Sequence, residues 1–411
     1  MKRKIGFYLD AQKLGDWDWQ NFLDGNIGMS GTDGQFLLLV IDISKLYNVY
    51  FFTNVADKKF DNFITVSVSS LEDTAVQAKE LGIDLLIFNN KTNDDIITGI
   101  AKLENLKLPF ILWDQNGPTA NFEQLLAANS YLKRIVCVSQ THANWHRHKR
   151  YFPKVTYIYN GKDYPEPTKR DFAKTESVNI GYLGAVGETK GFHWVAMAWP
   201  AVKKAFPQAT LTVIGSIKTH DRTLKTGDLG IGEPDFEIKY IHPYLGRNLD
   251  ELQKNGIGFT GHISPNQMPI YMDRLDLGIV NPNMDGSNET FCVSAIDFQA
   301  CGVPVIGANM GGLKETVNNG QTGILINDSY ALADAIIKVF SSRDQLKRYS
   351  VNSPAWVREN FSRKTIVMQW QKLIDDVISG KKNKIVSLSL KDLDLKLIAK
   401  EIIRLKNRIL N

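Results

Sequence analysis

The chain has 411 residues, 43% of them hydrophobic and 23% charged, with a formal net charge of +5. That length exceeds one ordinary core of about 100–200 residues and predicts two large domains of a soluble globular protein. No apolar run reaches the roughly 20 residues of a membrane span. Residues 381–411 hold nine Lys/Arg against three Asp/Glu, a balance of +6, which leaves −1 for the rest; the body is therefore no general nucleic-acid binder.

The basic opening, MKRKIGFYLDAQKLGDW, turns acidic after an apolar stretch of about five residues and reads as a first strand, not a signal peptide. Predicted strands follow at 4–9, 48–54, 63–68, 84–89, 110–114 and 134–139, most of them separated by amphipathic stretches such as LEDTAVQAKELG (71–82). Strands apolar on both faces, alternating with helical patterns, predict a parallel sheet covered by helices. This first domain is placed at 1–160. The polar segment 159–177, with Asn-Gly and two prolines, reads as a connection. A second strand–helix series predicts strands at 178–184, 210–215, 256–261, 277–282, 303–307 and 322–327, and helices around 329–342, 343–351 and 363–379. The second domain is placed at 161–362. Two doubly wound α/β domains of this kind would bind a ligand in the cleft between them, at the carboxyl ends of the strands.

NETFCVSAIDFQACGVPVIG (288–307) carries the most chemistry. A helix of about twelve residues is predicted to begin at Glu289 and to end at Gly302, a C-terminal cap. Over eight helical residues the chain rises about 12 Å, so Asp297 would lie about two turns deeper on the same side. The amides of Thr290, Phe291 and Cys292 would then form a seat for a diphosphate, with an acid on either side for hydroxyl groups. Spacing alone leaves a second reading open, an acid that merely stabilises a helix N-terminus and a half-exposed Asp.

YLGAVGETKGFHWVAMAW (182–199) has a strand, a glycine-rich turn and a Lys-Gly before a helix, a phosphate-binding layout in which Gly184 lets the backbone turn and Lys190 supplies the charge. In GNIGMSGTDGQFLLLVI (25–41) a glycine-rich loop runs into an apolar helix, with Gly31 and Thr32 at its mouth; the glycines do not fit G-x-G-x-x-G, which disfavours a dinucleotide-binding dehydrogenase. In LWDQNGPTANF (112–122), Asp114 and Asn116 follow a strand, and either could face a sugar or an acceptor, or serve the local turn.

Cys137, Cys292 and Cys301 read as reduced core residues. His142, His146 and His148 resemble a metal cluster, the first two at an i, i+4 spacing that shares a helical face, but they stand among Arg147, Lys149 and Arg150 with no carboxylate or Cys beside them in sequence. A solvated basic helix is expected there, and no metal site. Asp16 and Asp18 of DWDW lack the context of a metal-binding Asp-x-Asp. The tail, 380–411, places Leu393, Leu397, Ile398, Ile402, Leu405 and Ile409 at helical spacing among lysines and arginines. It suits packing on the protein's own body, self-association or an anionic membrane surface.

The segment around Glu289, with GVPVIGANMGGLKETV after it, resembles the C-terminal signature of the retaining GT-B glycosyltransferases of the family-four type, also called glycosyltransferases group 1. Pro282, Glu289, Phe291, Ala300, Gly302, Pro304, Val305, Gly311, Gly312 and Glu315 carry the match. The resemblance implies two Rossmann-like domains, with the 363–379 helix returning to the first. It implies a metal-independent, hexosyltransferase-like enzyme in which Glu289 binds the transferred sugar, the second acid binds the ribose and Lys190 holds the diphosphate. The substrates would be a nucleotide-diphosphate sugar and a glycan, lipid-linked or other hydroxyl acceptor, in polysaccharide or glycoconjugate synthesis, with no separate cofactor. A cytoplasmic protein is expected, peripheral at the inner membrane surface if the tail binds lipid. Three departures stand out: Asp297 replaces a Glu, Cys292 a Gly, and Ala185 the Arg that would share the diphosphate, for which Lys218 or Arg222 could substitute. A nucleotide-sugar epimerase on the same scaffold and a non-catalytic partner subunit are the alternatives.

Overall fold

The computed structural model describes residues 2–11, 18–28, 31–55, 63–90, 94–116, 120–163, 177–217, 224–285, 289–388 and 395–409. The chain divides into two compact units. Unit 1 comprises Met1–Trp19, Gly31–Gly161 and Arg363–Asn411; unit 2 comprises Gln20–Ser30 and Lys162–Ser362.

Unit 1 is built on a parallel sheet of β1 (Lys4–Leu9), β2 (Asn48–Thr53), β3 (Ile64–Ser67), β4 (Leu85–Asn89), β5 (Phe110–Asp114), β6 (Leu132–Cys137) and β7 (Val155–Tyr157), in the order β3-β2-β1-β4-β5-β6-β7. Every residue of β4 and β5 is buried, as expected of strands covered on both faces. β7, three residues long, carries too little apolar pattern to be seen in the sequence. Helix Arg363–Ile378 belongs to this unit. Trp370 is fully buried with its ring 5.0 Å from that of Trp113, Arg363 pairs with Asp42, and the Tyr47 hydroxyl donates to Asp375 at 2.7 Å.

Unit 2 repeats the plan with β8 (Asn179–Leu183), β9 (Thr210–Ile214), β10 (Ile257–Gly261), β11 (Leu277–Val280), β12 (Val305–Ala308) and β13 (Gly323–Ile326), all parallel, in the order β10-β9-β8-β11-β12-β13. In both sheets the first strand stands third and the order reverses beside it, so each unit has a switch point, between β1 and β4 and between β8 and β11. Loops leaving the carboxyl ends of two such strands diverge to opposite sides and open a crevice.

Helix Val293–Ala300 lies across β8 and β11 in unit 2. A Cβ on Gly278 would stand 2.6 Å from the Phe298 ring, and one on Gly181 3.1 Å from it. The two glycines thus let the fully buried Phe298 press against the strands, which contributes about 1.5–3 kcal/mol by burial. This helix has eight residues and starts at Val293, four residues later than expected. Glu289–Cys292 precede it as non-helical chain, because Gly311 and Gly312 pack on the backbone of 289 and 290 and claim it for a tight loop contact. Gly302, at φ 73, follows the Cys301 cap and turns the chain back, as its type at that position requires.

The tail is tied to unit 1 by hydrogen bonds and by the buried Val386. Arg134 donates to the Lys381 carbonyl at 2.7 Å, Asn383 to that of Val155 at 2.8 Å, and the buried Arg147 to that of Val386 at 2.9 Å and to the Glu401 carboxylate at 2.9 Å. Helix Leu395–Ile409 turns Leu397 inward, while Leu395, Ile398, Ile402 and Leu405 are exposed. Leu393 and the Ile409 side chain lie outside the described residues. No described helix is long and apolar enough to cross a membrane.

Candidate functional site

The switch point of unit 2 gathers polar side chains from both of its diverging loops. After β8 the chain runs through Gly184 and Ala185 to Lys190, and helix Phe192–Ala205 begins behind Gly191. The buried Tyr182 hydroxyl lies 2.9 Å from the carbonyls of both Ala185 and Lys190 and holds this loop in shape. After β11 comes Asn281, whose φ of 25° places it in the left-handed region that Asn tolerates better than most residues. Glu289 follows seven residues after Pro282.

These loops meet in one hydrogen-bonded trio. The Lys190 ammonium stands 2.8 Å from Glu289 Oε2, and Asn281 Nδ2 donates to the same oxygen at 2.9 Å. Glu289 is buried and Asn281 more so, whereas about a third of the Lys190 side chain, 35%, remains open to solvent. Burial alone would lower the Lys190 pKa, but the charge and hydrogen bond of Glu289 outweigh it and raise it. A permanent cation and an oriented carboxylate thus share one site. The Glu289 backbone is equally fixed, since its carbonyl accepts from the Gly312 amide at 2.7 Å.

Thr290, Phe291 and Cys292 continue from Glu289 toward helix Val293–Ala300, with Phe291 and Cys292 buried. Their amides are not those of a first helical turn; that role falls to Val293 and Ser294. Burial, with the charge of Glu289, raises the Cys292 thiol above its ordinary range and keeps it protonated. Asp297 lies one turn into the helix, not two turns beyond Glu289 along it. It is buried and paired with Lys162 at 2.8 Å. Unit 2 thus joins Lys190 and Glu289 directly, with Gly184 in the loop before Lys190 and Thr290, Phe291, Cys292 and Asp297 on the segment that follows Glu289. Lys218 and Arg222 lie outside the described residues, as does Asp16.

Unit 1 holds the remaining candidates. Gly31 and Thr32 open helix Gly31–Ser44, and Asn116 is exposed after β5. Asp114 corrects an expectation. It is fully buried at the end of β5, and its carboxylate accepts from Asn90 at 3.2 Å and turns toward His146 Nε2 at 3.0 Å and His142 Nε2 at 3.5 Å. It is therefore not presented to a sugar or an acceptor. Burial would raise its pKa, but the two histidines outweigh this and hold it well below the usual range. The expected solvated histidine helix is corrected too, because His142 is fully buried and His146 is 4% exposed. The short helix Gln140–Trp145 turns these two rings onto the sheet, where their neighbours come from strand ends distant in sequence.

Asn281 and Lys162 escaped the sequence reading. The signal for Asn281 was its place between a buried strand and Pro282, where a left-handed Asn ends a strand; Lys162, in Asn-Gly-Lys, carried none.

Residues 166–356 match the family model described as Glycosyl transferases group 1. The chain is 24% identical over 222 residues to a glycogen synthase of Mycobacterium tuberculosis, a stretch covering 52% of this chain and 46% of that enzyme, so it spans about half the length of the curated relatives it matches. Among solved structures, sucrose-phosphate synthase of Thermosynechococcus elongatus superposes with a TM-score of 0.69 at 16% identity, covering 92% of this chain and 100% of that one. Anabaena HepE in complex with UDP-glucose gives 0.65 at 18% identity, covering 91% and 99%. Two Rossmann-like sheets, the loop sequences at the unit 2 switch point and the matched segment agree: residues 166–356 are a match to the glycosyl transferases group 1 family, in a chain of GT-B fold.

Proposed function

We propose that the protein is a retaining glycosyltransferase that moves a sugar from a nucleotide-diphosphate donor, bound on unit 2, to a hydroxyl acceptor in polysaccharide or glycoconjugate synthesis. The observation that carries this reading is the trio of Lys190, Glu289 and Asn281 at the switch point, beside the start of helix Val293–Ala300. Breaking the bond from the anomeric carbon to phosphate leaves charge on the diphosphate. Lys190 and the helix-end amides supply donors there. Glu289 positions the sugar through its hydroxyls. The acceptor oxygen attacks on the face from which the diphosphate departs, and its proton passes to a departing phosphate oxygen. A lysine and a helix end do the electrostatic work of a metal, so the transfer step requires none. Asp297 takes the ribose hydroxyls, and Lys162, its present partner, sets how firmly that carboxylate is held. The structure of HepE with UDP-glucose supports a uridine donor as the first to try.

A thermal-shift panel of nucleotides and nucleotide sugars tests the reading. At about a hundredfold excess over Kd a bound donor adds about 2.7 kcal/mol, so at least one donor raises Tm by several degrees and Lys190→Ala cancels the rise. Brief EDTA treatment leaves turnover unchanged. The proposal fails if no donor binds, or if transfer stops and only Mg²⁺ or Mn²⁺ restores it. A donor altered in its sugar with no acceptor present would mean an epimerase; binding without turnover over a broad acceptor panel would mean a partner subunit.

The exposed face of helix Leu395–Ile409, with Lys396, Lys400 and Lys406 around it, fits an anionic lipid surface and a cytoplasmic protein peripheral to the inner membrane. Vesicles of phosphatidylglycerol are expected to pull the protein down at low salt, and phosphatidylcholine vesicles not. Ile402→Glu weakens the binding about tenfold, since it places a charge where an apolar side chain would insert. Equal sedimentation with neutral and anionic vesicles, or concentration-dependent dimers that Ile402→Glu dissolves, would overturn the lipid reading.

A further inference from the structure

Behind β5 and β6 of unit 1, four buried side chains of metal-ligating type converge. Asp114 ends β5, Cys137 ends β6, and His142 and His146 come from the short helix that follows. One ligand atom from each lies within 4.8 Å of every other. We propose that they form a structural zinc site, with Asp114 Oδ2, Cys137 Sγ, His142 Nε2 and His146 Nε2 as the four ligands.

The spacing fits the ion. Zn–ligand bonds of about 2.0–2.3 Å in a tetrahedron separate neighbouring ligand atoms by about 3.3–3.8 Å, and His146 and His142 stand 3.0 and 3.5 Å from the Asp114 oxygen. A carboxylate, a sulfur and two imidazoles suit zinc better than Mg²⁺ or Ca²⁺, which prefer oxygen alone. The far atoms of two ligands are held as ligands to a metal usually are. Asn90 donates to Asp114 Oδ1 at 3.2 Å, and His146 Nδ1 stands 3.0 Å from the Tyr151 hydroxyl. Ser139 caps the helix by accepting from the His142 amide at 3.0 Å, which places the two histidines one turn apart on its inner face.

Hydrogen bonding alone leaves this cluster poorly served. His142 is fully buried; its Nδ1 has no hydrogen-bond partner among the described residues, and its Nε2 has only the long 3.5 Å approach to the Asp114 carboxylate. An orphaned buried polar group is costly, and one divalent ion shared by four ligands removes that cost. With every position taken by protein the site is closed, so its role is structural: it pins β5, β6 and helix Gln140–Trp145 together. Its failure would leave the glycosyltransferase reading intact, since no ligand belongs to the trio on unit 2.

The test is metal content and cobalt spectroscopy, neither of which depends on turnover. Protein from zinc-supplemented cells is expected to carry about one equivalent of zinc, released only on denaturation. Protein from cobalt-supplemented cells is expected to show strong visible bands of tetrahedral Co²⁺ and a near-ultraviolet thiolate-to-cobalt band. Cys137→Ser removes the thiolate band, and His142→Gln lowers the bound metal at least tenfold, with circular dichroism confirming that each variant is folded. Should the variants not fold, the wild-type cobalt spectrum decides. Folded wild-type protein with less than about a tenth of an equivalent after zinc supplementation, a cobalt spectrum without a thiolate band, or unchanged metal in folded variants would overturn the site.

Discussion

Glu289→Ala is expected to lower kcat/KM for sugar transfer about a thousandfold, equivalent to roughly 4 kcal/mol of transition-state stabilisation. The side chain's carboxylate joins both loops of the unit 2 switch point, through Lys190 at 2.8 Å and Asn281 at 2.9 Å. Its loss removes the group that would position the sugar and releases the lysine from its resting geometry. The fold should survive, for two reasons. The Glu289 carbonyl keeps its bond from the Gly312 amide whatever the side chain, and Lys190, already about a third exposed, can hydrate its charge. Donor binding measured by thermal shift should change only a few-fold. Glu289→Gln, which keeps the size and the Asn281 neighbour but cannot pair with a cation, should fall in between. Normal turnover in a folded Glu289→Ala protein would remove Glu289 from the site.

Gly311→Ala is the second large effect, and it acts on backbone. Gly311 has φ +50, where a side chain is strained, and a Cβ there would stand 2.1 Å from the Glu289 carbonyl oxygen. That partner is main chain and cannot swing aside as a flexible side chain would. Strain and overlap together should cost about 3 kcal/mol, which for a unit of this size lowers Tm by about 6–12 °C. Because relief requires moving Glu289, kcat/KM should drop by about a hundredfold even at temperatures where the variant is folded. Gly320→Ala provides the control: its φ is +78 but nothing lies within 4 Å of the added Cβ. It should cost about 1 kcal/mol and leave turnover alone. Equal effects at the two positions would show that local strain, not the hold on Glu289, governs the loop.

How the site was legible in the sequence follows from what each residue's neighbours are. Lys190 stands in a strand–turn–helix whose order along the chain is its layout in space, and Glu289 follows a buried strand in the same way. The eight-residue spacing predicts Asp297 two turns beyond Glu289, which holds only for an unbroken helix, and this one starts at Val293. The two glycines that keep Glu289 off the helix lie some twenty residues further on, and their packing is a contact between distant segments. The histidines failed for the same reason. In sequence His142 and His146 are surrounded by Arg147, Lys149 and Arg150; in space their inner face meets Asp114 and Cys137. The tail shows a milder version, in which the pattern of apolar residues announced a helix but not that Glu401 would dock on unit 1 beside Leu397 while Ile398, Ile402 and Leu405 stay exposed.

The sequence by itself determined the two parallel sheets, most strand positions, and the loops that bear Lys190 and Glu289, because alternation of buried strands with helices and the turn chemistry between them are local properties of the chain. Tertiary structure alone decided the order of the strands, and with it the switch point that brings the β8 and β11 loops together. It also decided the late start of helix Val293–Ala300 and the burial of Asp114 with Cys137 and two histidines. Each of these depends on contacts between segments far apart in the chain, where packing and electrostatics outweigh anything a residue's immediate neighbours prefer.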